Sequence, residues 1–160
     1  MDCLQRAWPA RLAGALEAPH RWDGTPIQVA DAYTLSPAVS PDGRLIAAFY
    51  GHPQTERQAV QPQIAIFPVD GGPPVKLLPV PETANQQSGL RWTRDGQSIA
   101  YVDHQNGFAN LWAISLDGTI RKLTDLHADQ IFDFDWSWDG LRPAVVVGAE
   151  PHDMVLMENG

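Results

Sequence analysis

LRWTRDGQSIAYVDHQNGFANLWAISLDGTIRKLT, residues Leu90 to Thr124, is the stretch on which the fold turns. Leu90–Trp92 runs into the turn TRDG, and Ile99–Val102 follows. A polar loop then leads to Leu111–Ile114, and the turn LDG leads to Arg121–Thr124. The runs are short, partly alternating and rich in β-branched and aromatic residues. That pattern predicts strands and argues against helices. Four antiparallel strands joined by tight turns would account for the whole stretch.

Four such strands in about 40 residues make one blade of a β-propeller, and the unit recurs on both sides. Upstream, Ala38 and Val39 enter Ser40-Pro41-Asp42-Gly43, then Leu45–Tyr50, a polar loop over 51–62, Gln63–Phe67, the turn Asp70-Gly71-Gly72 and Val75–Leu78. Proline in second place pre-sets its backbone angle, and glycine in fourth place accepts the left-handed conformation, so this turn makes a tight hairpin. Downstream, Phe132, Phe134 and Trp136 alternate with Asp133 and Asp135, which predicts a strand with one apolar face. Ser137-Trp138-Asp139-Gly140 repeats the turn, and Ala144–Val147 and Met154–Met157 read as the next two strands.

The spacing marks true repetition. The turn glycines Gly43, Gly96 and Gly140 are 53 and 44 residues apart, and an apolar residue stands four places before each: Val39, Trp92 and Trp136. Trp22-Asp23-Gly24 matches Leu116-Asp117-Gly118, so Thr25–Ala30 reads as a fourth strand standing ahead of the first full unit. Asn159-Gly160 falls where the turn before a last fourth strand belongs. The expected organisation is a leader over 1–21, irregular or with a short helix, and all-β propeller blades over 22–160. Within these, 22–30 is a closing strand, 31–80 and 88–125 are blades, and 131–160 is a blade without its last strand. Three blades fall short of the four to eight of closed propellers. The expectation is therefore part of a larger propeller, or a homodimer forming a six-bladed ring, in which the N-terminal strand completes the partner's last blade.

Composition narrows the function classes. Net charge of −8, with no local basic patch, argues against a nucleic-acid partner. A lone cysteine, Cys3, excludes an internal disulfide framework. No apolar run reaches membrane-spanning length, so no membrane insertion is expected. Arg11 and Glu17 interrupt any signal-peptide core, which leaves the cytosol or the periplasm open.

The stretches SPDGRLIAAFY (40–50), WTRDGQSIAYV (92–102), NLWAISLDGTIRKLT (110–124) and FDFDWSWDG (132–140) resemble the TolB-like, WD-repeat-like β-propeller family. Within it the chain is similar to the C-terminal propeller of bacterial multidomain receptor-type serine/threonine kinases. The resemblance implies a sensor or scaffold domain of a larger signalling protein. Kinase motifs are absent, so no kinase activity carries over.

Candidate chemistry is sparse. The five histidines, at 20, 52, 104, 127 and 152, show no zinc-site spacing, so no metal and no cofactor are expected. No G-x-S-x-G elbow occurs. Asp133 and Asp135 share a predicted strand face and could hold a cation or act as acid and base, or simply form a solvated face. Asp103 could orient His104, although a polar loop is the plainer reading. Trp138, off the repeat pattern at a turn, is either an exposed anchor for a partner or a residue packed over a neighbouring blade. Taken together, these features predict a non-enzymatic binding or scaffold module for a protein, peptide or small ligand, using loops at one end of the blades. A hydrolase or enzyme-accessory propeller with a site in the central channel, and a self-assembling structural unit, are the alternatives.

Overall fold

A computed structural model describes residues 17–19, 26–30, 33–51 and 61–148. The leader up to residue 16, Cys3, His20, His52, His152, the turn Trp22–Gly24 and the expected strand Met154–Met157 lie outside the described residues. Every element among those described is a β-strand, and every pairing is antiparallel.

The first sheet holds β3 (Tyr33–Val39), β4 (Leu45–Gly51), β5 (Gln63–Pro68) and β6 (Lys76–Pro79), in that spatial order. The central sheet is built on β9 (Ser98–Gln105) and β10 (Phe108–Ser115), with β11 (Ile120–Lys122) outside β10. Its first strand is split into β7 (Ala84–Asn85) and β8 (Arg91–Trp92), both paired with β9. The sheet thus begins four residues ahead of the expected boundary at 88. The third sheet pairs β12 (Gln130–Trp136) with β13 (Pro143–Gly148). A further hairpin joins β1 (Glu17–Pro19) to β2 (Pro26–Gln28). Here the structure departs from the expected leader: Glu17–Pro19 is a strand, because the Trp22-Asp23-Gly24 signal has a third strand before it as well as a fourth after it.

Strand length in the central sheet also exceeds expectation. β9 and β10 run on to Asn106-Gly107, whose φ values of 54° and 83° fit a two-residue turn with both residues left-handed. Asparagine and glycine tolerate that conformation, and its twist matches the flanking strands.

The first and central sheets use both faces, and the third packs through one. Ile46 and Ala48 of β4, with Ala65 and Phe67 of β5, pack against Val29 and Ala30. The opposite face, Ala47, Phe49, Ile64 and Ile66, packs on Trp92, Ile99, Tyr101 and Ile114 of the central sheet. The central sheet's other side, including Ala100, Val102, Ala109 and Leu111, packs on Ile131, Phe134, Trp136 and Val145 of the third. Alternate residues of every second strand therefore look toward opposite neighbours, as the period of two requires. Val29, Val80 and Leu123 follow the three fourth strands and enter the three cores in turn.

Polar bonds sew the sheets together. The indole N–H of Trp92 donates to Ala38 O at 2.9 Å, Ser36 Oγ donates to Gln86 O at 2.7 Å, and Ser88 Oγ donates to Ile131 O at 3.0 Å. Each supplies a partner to a carbonyl across a junction that is largely apolar.

Candidate binding site

Three copies of one turn stand side by side at one end of the stack. In each, the glycine N–H donates to the carbonyl of the first residue: Gly43 to Ser40, Gly96 to Thr93 and Gly140 to Ser137, at 2.9, 2.9 and 2.7 Å. The first residue's hydroxyl donates to the aspartate two places on. Ser40 reaches Asp42 and Thr93 reaches Asp95, both at 2.6 Å, and Ser137 reaches Asp139. The same hydroxyl accepts the N–H that opens the second strand, from Leu45, Ser98 and Arg142 at 2.9 to 3.0 Å. The aspartates also accept the N–H of Arg44, Gln97 and Leu141. Each carboxyl is held below its ordinary pKa, first by the hydroxyl and then by the backbone N–H, because both bond the charged form.

Turns of successive sheets touch through their glycines. A β-carbon on Gly96 would lie 3.8 Å from Cδ of Pro41, and one on Gly140 would lie 2.7 Å from Cβ of Arg94. Both glycines have left-handed backbones, at φ 66° and 71°. Glycine thus meets two needs at once in these positions, a positive φ and a close approach. Arg94 also donates to Trp138 O at 3.3 Å.

Between the central and third turns lies an open groove of about 640 Å³. Arg94, Arg121, Asp95 and Asp139 form its polar lining, and Leu123, Trp136, Leu141 and Pro143 its apolar lining. A smaller space of about 340 Å³ continues toward the first sheet, between Pro41, Asp42 and the Arg94–Gln97 turn. The guanidinium groups of Arg94 and Arg121 act on Asp139 and Asp95 respectively, so the groove carries both charges beside an apolar floor.

The residues singled out in the sequence do not converge. Asp133 and Asp135 meet Arg91 of β8, at 3.4 Å to its Nη2 and 3.6 Å to its Nε. Each also accepts the next residue's N–H, and the guanidinium lies 5.7 Å from the centroid of the Phe134 ring. The two carboxylates are therefore occupied by a cation of the protein itself. A bulge between Ile131 and Asp133 changes the expected face of Phe132. The extra residue turns Phe132 outward, while Ile131, Phe134 and Trp136 pack inward. No group of three or more metal-ligating side chains is found among the described residues.

His104 is half-buried on β9, and its backbone N–H donates to Thr83 O at 3.3 Å. Asp103, its neighbour along the strand, points to the opposite face and accepts from Gln105 Nε2 at 2.7 Å. Asp103 consequently orients Gln105 and leaves the imidazole alone. Its other oxygen and the Tyr101 hydroxyl are both buried without a partner among the described residues. Burial, and then the charge of Asp103, push the Tyr101 hydroxyl far above its ordinary pKa. Sequence reasoning missed this buried polar pair, although Asp103 two places after Tyr101 in an apolar run was the available signal. Trp138 is 98% exposed at the tip of the third turn.

No family model and no curated protein matches the chain. Among solved structures it is similar to TolB from Acinetobacter baumannii, with a TM-score of 0.63 at 17% identity over 86% of this chain and 33% of that one. It is also similar to the acylaminoacyl peptidase of Pyrococcus horikoshii, with a TM-score of 0.53 at 22% identity over 80% of this chain and 20% of that one. At such identities the likeness shows the fold, a TolB-like β-propeller architecture. The chain spans a third of the TolB chain and a fifth of the peptidase.

Proposed function

We propose that the chain is a non-enzymatic propeller module that binds an extended peptide segment of another protein. The groove between the central and third turns carries this reading. Its walls are strand ends and turns held by repeated hydrogen bonds, so it needs little ordering when a ligand enters. Arg94 and Arg121 suit a carboxylate side chain, and Leu123, Leu141 and Pro143 suit a bulky apolar neighbour. Such a module would serve as the sensor or scaffold part of a larger signalling protein. The hydrolase alternative, with inward-facing carboxylates in a central channel, gains no support from Asp133 and Asp135, whose exposed side chains are paired with Arg91.

An array of short peptides probed with the full chain tests the proposal. Peptides with an acidic residue beside a large apolar one should bind, and Arg121→Glu should weaken them by about tenfold or more, the cost of one lost charge-assisted bond. Binding indifferent to peptide acidity, or unchanged in Arg121→Glu, would remove the groove from consideration.

A further inference from the structure

The fourth strands β2, β6 and β11 are sheet edges among the described residues. An edge presents a row of unpaired N–H and C=O groups, and proteins blunt such edges with proline or with charge. β2 begins with Pro26 and β6 ends with Pro79. In β6 the proline stands where it blocks further pairing. Val80 N–H donates inward, to Pro62 O at 3.0 Å, so the backbone of Pro79, one place earlier, faces outward. There the N–H is missing.

β11 differs. It contains no proline, and Ile120, Arg121 and Lys122 are all exposed. Ser115 N–H donates to Thr119 O at 2.9 Å, and Leu123 N–H donates to Leu111 O at 2.8 Å. Positions 119, 121 and 123 therefore turn their backbone groups toward β10, and Ile120 and Lys122 turn theirs outward. Both of these residues keep an N–H. The charge that could guard the edge is engaged, since Asp125 holds Lys122 Nζ at 2.5 Å. The side chains of the same strand serve the groove. Leu123 packs toward the third sheet, Arg121 lies two places earlier on that face, and both line the groove.

We infer that the peptide is held as an added strand on the free edge of β11. The inference rests on the groove reading above and adds how the peptide's backbone is recognised. The outward N–H and C=O groups of Ile120 and Lys122 pair with alternate residues of the peptide. An added strand directs every second side chain to the groove side. A carboxylate next to Arg121 therefore has its apolar neighbour on that face two places away in sequence, where Leu123, Leu141 and Pro143 receive it. Any odd spacing sends one of the two side chains to the opposite face. The same edge thus sets both the strength of backbone pairing and the spacing of the two side chains.

Fluorescence anisotropy with the full chain tests it. The probes are short synthetic peptides of valine and threonine that carry one aspartate and one leucine, set one, two or three places apart. The spacing of two should bind about tenfold more tightly than the others, the worth of one charge-assisted bond. N-methyl groups placed one at a time along that peptide should then weaken binding by roughly tenfold at every second residue and little in between. Lys122→Pro, which removes an outward N–H at an edge, should weaken the same peptide by about tenfold and keep the far-ultraviolet dichroism of the parent. The N-methyl pattern needs no altered protein, so it decides the matter if that variant does not fold. Equal N-methyl effects along the peptide would overturn the inference and leave the groove reading standing, as would a folded Lys122→Pro that binds like the parent. Failure of every peptide, whatever its spacing, would remove the groove reading itself.

Discussion

The junction of the first and central sheets and the outer face of the third sheet use the same repeat positions, but only the junction is closed. In the junction Phe49 and Ile64 meet Trp92 and Tyr101, and an indole N–H spans the gap to a carbonyl. On the outer face Val146 and Phe132 stand open and Trp138 projects from the turn. Residue type does not separate the two regions, since both are apolar. What differs is whether a neighbouring sheet is present. An exposed tryptophan in such a repeat is therefore weak evidence for a ligand until its equivalents in the other units have been consulted.

The most severe way to break the closed junction is Ile64→Ala. A fully buried isoleucine replaced by alanine costs ~2–5 kcal/mol, from lost transfer energy and the cavity left behind. Denaturant melts would show it directly, and a loss under ~1 kcal/mol would mean the junction is loosely packed. Next comes Gly140→Ala, where a left-handed backbone and the Arg94 side chain act together, for about 1–3 kcal/mol. Gly118→Ala, at φ 91° with open space around it, isolates the backbone part. The excess at Gly140 measures how firmly the central and third turns are engaged, and equal losses would mean that Arg94 simply moves aside.

A finer contrast lies between the two core tryptophans. Trp92→Phe removes the bond to Ala38 O and should cost about 1 kcal/mol. Trp136→Phe removes an indole N–H that is buried without a partner among the described residues, so it should cost less or even stabilise. Equal melting shifts would show that the indole bond across the closed junction contributes nothing. The smallest effect is the acid response. The folded-state pKa values of Asp42, Asp95 and Asp139 are lowered. The stability they contribute is present above about pH 4, the ordinary aspartate range, and is lost as pH falls through the lowered values. Thermal melts between pH 5 and 2 should decline, with a shallower slope in Asp95→Asn. An unchanged slope would show that the Thr93 hydroxyl bond does not favour the charged form.

Much of this architecture is legible from residues 38–50 and 90–124, because turn chemistry and a period of two act locally. Ser40-Pro41-Asp42-Gly43 announces its hairpin, and the unbroken apolar run Leu45–Tyr50 fits a strand covered on both faces. Phe132 was misplaced because a bulge is set by the pairing strand, and nothing in IFDFDW alone records the extra residue. The split of the first central strand into β7 and β8 was hidden for a similar reason, since each piece holds two residues and gains its partners only from β9. At the candidate site, the groove depends on Arg121 and Leu141, which are 20 residues apart in sequence. The carboxylates of Asp133 and Asp135 were conspicuous in the sequence, but Arg91, which engages both, sits on another sheet.

The Asn106-Gly107 turn has a consequence for the order in which the molecule assembles. It joins the two longest strands among the described residues, eight residues each, through two residues already suited to the bend. Hairpins of this kind close in about 1–10 μs, well before distant segments find one another. β9 and β10 are therefore the natural seed. The hairpin presents an apolar surface on both sides, and the first and third sheets can each condense on it without waiting for the other. Folding would then spread outward in two directions from the middle of the chain, and the two outer faces would be the last surfaces to form.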